Sequence, residues 1–246
     1  MDEIRYQLKH FRVEFSPTYV IIGVNLVLFI LVSFVQLALA GNVYYWAGGN
    51  AFPLLVDGQI WRLLTSVFLH GNILHLGLNM LFLYQVGRMV EKFYGNHKFT
   101  LIYLATGLAA SLFSALGQGL WVLINPNANF SLSIGASGAI FGLLGLLLGN
   151  TIFRQRFGIA LPVERNSLLI IVGVNFLFGL TIPGVDNLAH FGGLVVGMIL
   201  SLLVKPEVWG YKQENSEKVI KILTVLGIML VALAFILQLI WILANI

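Results

Sequence analysis

The segment Gly135-Ala-Ser-Gly138 places a serine, Ser137, where small residues give way to a long apolar run. If that run is a helix, Ser137 lies in its first turn, where backbone N–H groups lack helical partners and the dipole favours negative charge. A serine so placed is suited to attack a carbonyl carbon while backbone N–H groups bind the oxyanion. The Gly-x-Ser-x-Gly turn of α/β-hydrolases does not fit, because residue 139 is alanine and no strand precedes it. The motif alone leaves open a small-residue helix start without chemistry.

Three further polar residues interrupt apolar stretches and are suited to assist such a serine: His75, Asn79 and His190. His75 and Asn79 are four residues apart, so a helix presents them on one face. His190 is the ionisable residue best placed to accept the serine proton, and His75 and Asn79 are suited to donate hydrogen bonds to an oxyanion. Polar groups in apolar segments are costly and are usually functional. The pattern therefore predicts a serine nucleophile, a histidine base and an oxyanion site.

His70 precedes His75 by five residues and lies nearer to the preceding loop. Neighbouring histidines are compatible with zinc, but no third ligand follows at the spacing that zinc sites need. We therefore predict no metal site, and His70 either supports the candidate site or forms hydrogen bonds to the loop. The sequence contains no nucleotide-binding loop or cofactor motif, so no cofactor is predicted.

The composition is that of a membrane protein. The chain of 246 residues is 59% hydrophobic and 10% charged, with a mean hydropathy of +0.91. About 20 consecutive apolar residues span a bilayer. The absence of cysteine excludes disulfides and cysteine chemistry. We predict an all-α polytopic membrane protein with seven spans, at roughly 18–38, 73–90, 98–118, 137–153, 167–184, 189–204 and 219–243.

The basic residues predict the orientation of these spans. With these boundaries, every lysine and arginine except Arg62 falls on one side of the membrane. The positive-inside rule then places the N-terminus in the cytoplasm and the C-terminus outside. The net charge of +4 thus reflects topology, and no nucleic-acid partner is predicted. The first span has features of a cleaved signal, but its length favours retention. The short tail and small size favour a prokaryotic plasma membrane.

Glycine stripes predict which spans touch. Along the fourth span, glycines recur at positions 138, 142, 145 and 149, and along the sixth, His190, Gly193 and Gly197 share one face. Such stripes let two helices approach very closely. Contact between the two stripes would bring Ser137 beside His190, since each begins its span on the outer side. Asp186, four residues before His190, is interpreted as a helix N-cap. A catalytic acid is the alternative.

Two further regions are predicted to lie around this site. Residues 41–72, called the long loop below, carry aromatic residues and the pair Trp61-Arg62, so the loop is expected to pack at the membrane boundary. Residues 205–218 form a polar linker to the seventh span, which contains only Gln238 as a strongly polar interior residue. We expect that span to be an appended helix outside the site.

Combined, these motifs resemble the rhomboid family of intramembrane serine proteases over residues 18–204. In this order the set is highly specific, although single motifs are not. The matching motifs are Trp61-Arg62, His70-x4-His75-x3-Asn79, Gly87-x3-Glu91-x3-Gly95, Gly135-Ala-Ser137-Gly138 and Ala189-His190-Phe-Gly-Gly193-x3-Gly197.

The resemblance implies a Ser137–His190 dyad without a third acid, and an oxyanion hole formed by His75, Asn79 and the Ser137 N–H. It implies transmembrane proteins as substrates, within the lipid bilayer. It assigns supporting roles to matched residues near the dyad and structural roles to others. The supporting residues are His70, Phe141, Gly135, Gly138, Gly193 and Gly197, and the structural residues are Trp61, Arg62 and Glu91.

The implied architecture is a rhomboid-like six-helix bundle plus one C-terminal transmembrane helix. The chain then divides into a cytoplasmic tail (1–17), a six-helix core (18–204), a cytoplasmic linker (205–218) and an additional transmembrane helix (219–246). One departure is Phe141, where many family members have a tyrosine packed on the catalytic histidine. The alternatives are a catalytically silent rhomboid-like binder of membrane proteins and a small channel or transporter. A transporter would favour polar sites near the midplane and internal repeats, which we do not find.

Overall fold

The computed structural model describes residues 16–38, 42–127, 129–153, 163–207 and 214–245. Most of the predicted tail 1–17 and part of the predicted linker 205–218 lie outside the described residues. The described parts of the chain contain helices and one isolated β-bridge but no strand. The helices are α1 (Pro17–Ala38), α2 (Val43–Ala47), α3 (Phe52–Val56), α4 (Arg62–Thr65), α5 (Ile73–Phe82), α6 (Arg88–Ile124), α7 (Ser137–Phe153), α8 (Arg165–Thr181), α9 (Asn187–Leu203) and α10 (Glu214–Asn245).

The prediction of an all-α polytopic membrane protein is confirmed. Three helical stretches are long and apolar enough to cross a membrane, namely Pro17–Leu37, Ile73–Ile124 and Glu217–Asn245, and α7, α8 and α9 are shorter apolar helices. Large apolar side chains of α1 and α10, such as Leu31 and Leu230, are exposed. In a bilayer these surfaces face lipid rather than water.

The predicted second and third spans are joined without an intervening loop. A π-helical turn, Leu83–Gly87, links α5 to α6, and the helical pattern is broken at Gly95, where φ is +78°. The chain reverses there, because His75 before the break and Ala110 after it both lie close to the glycines that flank Ser137. The third span also continues to Ile124, beyond the predicted end at 118, since residues 120–124 remain apolar.

Helix α7 forms the centre of the bundle. Every residue from Gly138 to Asn150 is buried, as expected of a helix that is apolar on all sides. Helices α6 and α9 pack against it on different faces. A Cβ on Gly193 would overlap the Gly138 carbonyl oxygen, and one on Gly197 would overlap that of Gly142. The two glycine stripes therefore bring the backbones of α7 and α9 into direct contact.

Glu91 ties α1 to α6 at the end of the bundle remote from Ser137. Its carboxylate accepts hydrogen bonds from Ser16 Oγ (2.8 Å) and Thr18 Oγ1 (2.7 Å) of the first span's start. Arg88 donates to the same carboxylate oxygen at 2.9 Å. These are charge-assisted hydrogen bonds across two elements. Glu91 accordingly has the surroundings of a structural residue.

The long loop packs onto the opposite end, called the site end because α7 begins there. Arg62 is fully buried and donates to Gln59 Oε1 (2.7 Å) and to the carbonyls of Tyr45 (2.8 Å) and Gly49 (2.9 Å). Burial lowers the pKa of Arg62 to about 10, so the guanidinium stays charged at neutral pH. Asn50 pairs with Ser133 through two backbone hydrogen bonds. The long loop is thus attached to the strand-like segment that leads into Ser137.

Candidate active site

Ser137 and His190 meet at the site end of the bundle. Ser137 Oγ lies 2.9 Å from His190 Nε2. That distance is within the range required for proton transfer from a serine to an imidazole base. The contact joins α7 to α9 and depends on the glycine-mediated approach of those helices. His190 is only 6% exposed, whereas Ser137 is partly exposed towards a cavity.

Two aromatic rings hold the His190 imidazole. Phe141 stacks on it with ring centroids 4.2 Å apart and an interplanar angle of 11°. Phe176 of α8 contacts both rings edge-on, with its centroid 5.1 Å from that of Phe141 and 6.2 Å from that of His190. His190 Nδ1 has no hydrogen-bond partner among the described residues. Ring stacking, rather than a carboxylate, therefore orients the imidazole.

Asp186 caps α9 and does not contact the His190 ring nitrogens. Its side chain accepts a hydrogen bond from the Ala189 N–H at 2.9 Å, as an N-cap does. The other carboxylate oxygen accepts from Ser133 Oγ at 2.6 Å and from Ser114 Oγ. The carboxylate thereby joins the start of α9 to α6 and to the segment before Ser137. This geometry matches the N-cap interpretation and not that of a triad acid.

The turn before Ser137 requires glycine at position 135. Gly135 has φ of +128°, and a Cβ there would lie 2.7 Å from His75 Nε2. The turn leads into α7, whose first helical bond runs from the Ile140 N–H to the Ala136 carbonyl (3.0 Å). The N–H groups of Ser137 and the next two residues therefore lack partners within the helix. They are the donors expected at an oxyanion site.

His75 and Asn79 lie on one face of α5, next to this turn. The Gly71 N–H approaches His75 Nδ1 at 3.4 Å, which assigns the proton of the neutral ring to Nε2, on the side facing Gly135. Asn79 Nδ2 donates one hydrogen to the His75 carbonyl at 2.9 Å and retains a second. Both side chains can therefore donate towards the space beside Ser137.

These residues line a single cavity of about 320 Å³. Its wall includes the candidate nucleophile and base, both α5 polar residues, and the turn between α8 and α9. Pro183 and Val185 of that turn also face it, whereas Phe178 of α8 is 57% exposed and does not line it. The cavity volume is at the lower end of the range of about 300–1,000 Å³ that is usual for ligand pockets.

His70 lies behind His75, outside the cavity wall. Its ring is buried, with its centroid 5.1 Å from that of His75. Burial and the neighbouring His75 lower the pKa of His70 to about 3, so this ring is neutral at physiological pH. Among the residues described, no group of three His, Cys, Asp or Glu side chains is arranged to hold a metal ion.

We expect Phe141 to matter through its ring. In Phe141→Leu the stacking on His190 is lost, and aromatic pairs of this kind contribute about 0.5–1.5 kcal/mol. Labelling of Ser137 by a fluorophosphonate serine probe should then slow by about 2- to 12-fold. Phe153→Leu, at the far end of the same helix, is the matched control. Equal labelling rates for wild type and Phe141→Leu would contradict an orienting role for the stack.

A family model described as Rhomboid domain matches residues 57–207, which contain the whole of this site. The chain belongs to the rhomboid family. The resemblance drawn from the motifs is thereby confirmed. This rhomboid is similar to Rhomboid protease GluP of Bacillus subtilis (34% identity over 73% of this chain and 33% of GluP). It is also similar to RHOMBOID-like protein 4 of Arabidopsis thaliana (37% identity over 69% of this chain and 41% of that protein). A third relative is Rhomboid-like protease 1 of Toxoplasma gondii (34% identity over 68% of this chain and 55% of that protein).

The rhomboid chain covers less than two thirds of the length of each of these relatives.

Sequence reasoning missed several residues around the candidate active site. Ser114 and Ser133 hold Asp186, and Gln59 holds Arg62. Serine and glutamine in apolar or loop segments carry no motif, so only their hydrogen bonds to a charged partner identify them.

Proposed function

We propose that this chain is an intramembrane serine endopeptidase, with Ser137 as nucleophile and His190 as general base. The 2.9 Å contact between Ser137 Oγ and His190 Nε2, inside a cavity that opens at the site end, supports this proposal most directly. Membership of the rhomboid family and similarity to proteins named as proteases support the reaction class. The proposed catalytic unit is the six-helix core, residues 18–204.

The proposed reaction proceeds through an acyl-enzyme. Neutral His190 accepts the Ser137 proton at Nε2 while Oγ attacks the substrate carbonyl carbon. The tetrahedral intermediate collapses when the imidazolium returns that proton to the leaving amine and the C–N bond breaks. A water molecule, activated by the same imidazole, then attacks the ester carbonyl and releases Ser137. The stacked Phe141 keeps the ring in place during both proton transfers.

In this proposal, the oxyanion forms beside His75, Asn79 and the Ser137 N–H. Geometry supports these donors, since His75 Nε2 faces the Gly135 turn and the first N–H groups of α7 are free of helical bonds. Loss of one oxyanion donor typically costs about 10²–10³-fold in kcat. The proposed dyad uses no third acid, and Asp186 is instead engaged by Ala189, Ser114 and Ser133.

The proposed substrates are transmembrane segments that unwind near one membrane surface. A helix satisfies its own backbone groups, so its peptide carbonyls become accessible only after local unwinding. The cavity lies beneath the long loop and the turn between α8 and α9. With the topology predicted from the basic residues, the N-terminus is cytoplasmic and cleavage takes place near the outer face of a cell membrane.

Reconstitution with a single-span test protein examines the proposal. In liposomes, the wild-type chain should convert this protein into two fragments whose masses place the cut near the end of its span. A fluorophosphonate probe should label the wild-type chain covalently. Binding of the test protein without cleavage or labelling would instead identify a silent membrane-protein binder. Solute uptake without either reaction would indicate a transporter.

A further inference from the structure

Helix α10 contacts the bundle through one narrow seam. Its buried residues, Thr224, Ala234 and Gln238, share one face, while most of its other side chains are exposed. Other residues of this face also touch the core, including Phe235, whose ring packs against Phe68 with centroids 6.0 Å apart. Contacts at alternating spacings of three and four residues are typical of helices that pack along their length. The seventh span is therefore docked onto the bundle.

Gln238 is a buried polar residue of this seam and lies at the site end. Its Oε1 accepts a hydrogen bond from Trp61 Nε1 at 2.6 Å, and its Nε2 donates to the Trp46 carbonyl at 2.7 Å. The side chain is only 3% exposed. An amide buried among apolar groups is costly unless both of its ends are paired. Gln238 therefore holds two separate points of the long loop against α10.

Trp241, one turn further along α10, completes the contact. Its ring lies 5.5 Å from that of Tyr45 and 5.3 Å from that of Trp46, centroid to centroid. The Arg62 guanidinium carbon lies 5.1 Å from the Trp241 ring centroid and 5.2 Å from that of Tyr45. A buried cation within about 6 Å of two aromatic rings is stabilised by both. The seventh helix thus supplies part of the wall around the buried Arg62.

Hydrogen bonds link the long loop to the segment that precedes Ser137. Arg62 holds the Gly49 carbonyl, and the next residue, Asn50, pairs with Ser133 through two backbone bonds of 3.0 and 2.8 Å. Asn50 Nδ2 also donates to the Ser111 carbonyl of α6 at 2.8 Å. Two residues beyond Ser133, the Gly135 N–H donates to the Ser66 carbonyl at 3.0 Å. The segment that sets the start of α7 is therefore held from the long loop.

We propose that Gln238 is a positioning residue for the Ser137 site: by anchoring the long loop to α10, it fixes the segment 133–135 that places Ser137. This role rests on the proposed function. It makes α10, which lies outside the cavity, part of the structure that positions Ser137. Gln238 does not line the cavity. It acts only through the long loop.

Gln238→Leu tests the proposal in the full chain. Leucine removes both hydrogen bonds and retains an apolar helix. Backbone amide hydrogen exchange of residues 42–65 and of Ser133 should accelerate about tenfold, because their opening costs less free energy. The value of kcat for the single-span test protein should fall about tenfold, since a shift of about 1 Å costs about 10²-fold and the expected displacement is smaller. The value of KM should change by less than about twofold.

Thr224→Val is the matched control. Thr224 lies on the same seam at the opposite end, where its Oγ1 donates to the His97 carbonyl at 3.2 Å. This variant should leave exchange of the long loop and kcat at their wild-type values. If Gln238→Leu does not accumulate, Trp61→Phe carries the same test, because a phenyl ring lacks the indole N–H that donates to Gln238 Oε1.

The outcomes test the anchoring of the long loop, the positioning role of Gln238 and the proposed function separately. Unchanged exchange in Gln238→Leu overturns the anchoring. Faster exchange with unchanged kcat overturns the positioning role. An equal effect in Thr224→Val also overturns it, because general loosening of α10 would then be the cause. A wild-type chain that neither cleaves nor binds the serine probe overturns the proposed function and the positioning role with it, while the exchange measurement still decides the anchoring.

Discussion

Ser137→Ala should abolish cleavage of the single-span test protein and labelling by the serine probe, lowering kcat by about 10⁴-fold or more. In the proposed mechanism, the Ser137 hydroxyl is the group of the chain that forms the covalent bond to the substrate. His190 remains stacked on Phe141 without it, so the fold should be unaffected. Fragment yield over time, measured in liposomes, gives the rate, and thermal unfolding in detergent gives the stability.

Ser201→Ala is the matched control for this variant. Ser201 is a buried serine of α9, and its Oγ donates to the Met198 carbonyl at 2.6 Å, away from the cavity. This change should leave cleavage within about twofold of wild type. Undiminished cleavage by Ser137→Ala would exclude the dyad. Loss of cleavage in both variants would indicate unfolding rather than removal of a nucleophile.

Gly193→Ala should cost both stability and activity, because the new methyl group would overlap the Gly138 carbonyl oxygen. The two backbones must separate, and overpacking of this kind typically costs about 1–3 kcal/mol. The same separation moves His190 away from Ser137, and a displacement of about 1 Å costs about 10²-fold in rate. The midpoint of thermal unfolding and the cleavage rate at a temperature well below it report the two effects separately.

Gly173→Ala provides the control for the glycine change itself. A Cβ on Gly173, in α8, would meet no atom within 4 Å. Alanine is the better helix former by about 0.8–1.0 kcal/mol, so this variant should be as stable as wild type or more stable. If Gly193→Ala behaved like Gly173→Ala, direct contact between α7 and α9 would not be needed to bring Ser137 and His190 together.

Residues remote in sequence meet at the site because of backbone packing, and the sequence indicated this only in part. The glycine spacing in the fourth and sixth spans predicted a close approach, and the structure brings the two stripes into contact. The position of Asp186 four residues before His190 left two roles open. Its hydrogen bonds to Ser133 and Ser114, from two other elements, distinguish them. Local pattern does not encode such partners, since each is an ordinary serine.

The contacts of the seventh span could likewise not be predicted from the sequence. From its composition it is an appended apolar helix with one glutamine, and nothing in the spacing indicates what that glutamine contacts. The structure places Gln238 against Trp61 and Trp46, 177 and 192 residues earlier in the chain. A buried amide needs partners, which the sequence predicts. Which residues they are depends on how two distant segments pack.

Composition, hydropathy and motif order thus determined the helical membrane fold, the family and the residues able to perform chemistry, because these follow from residue type and local spacing. The tertiary structure decided which of these residues meet: the stack of Phe141 on His190, the capping role of Asp186, and the attachment of the long loop to α10. The reason is physical. Contacts between side chains of distant helices depend on close packing of the whole bundle, which no single segment specifies.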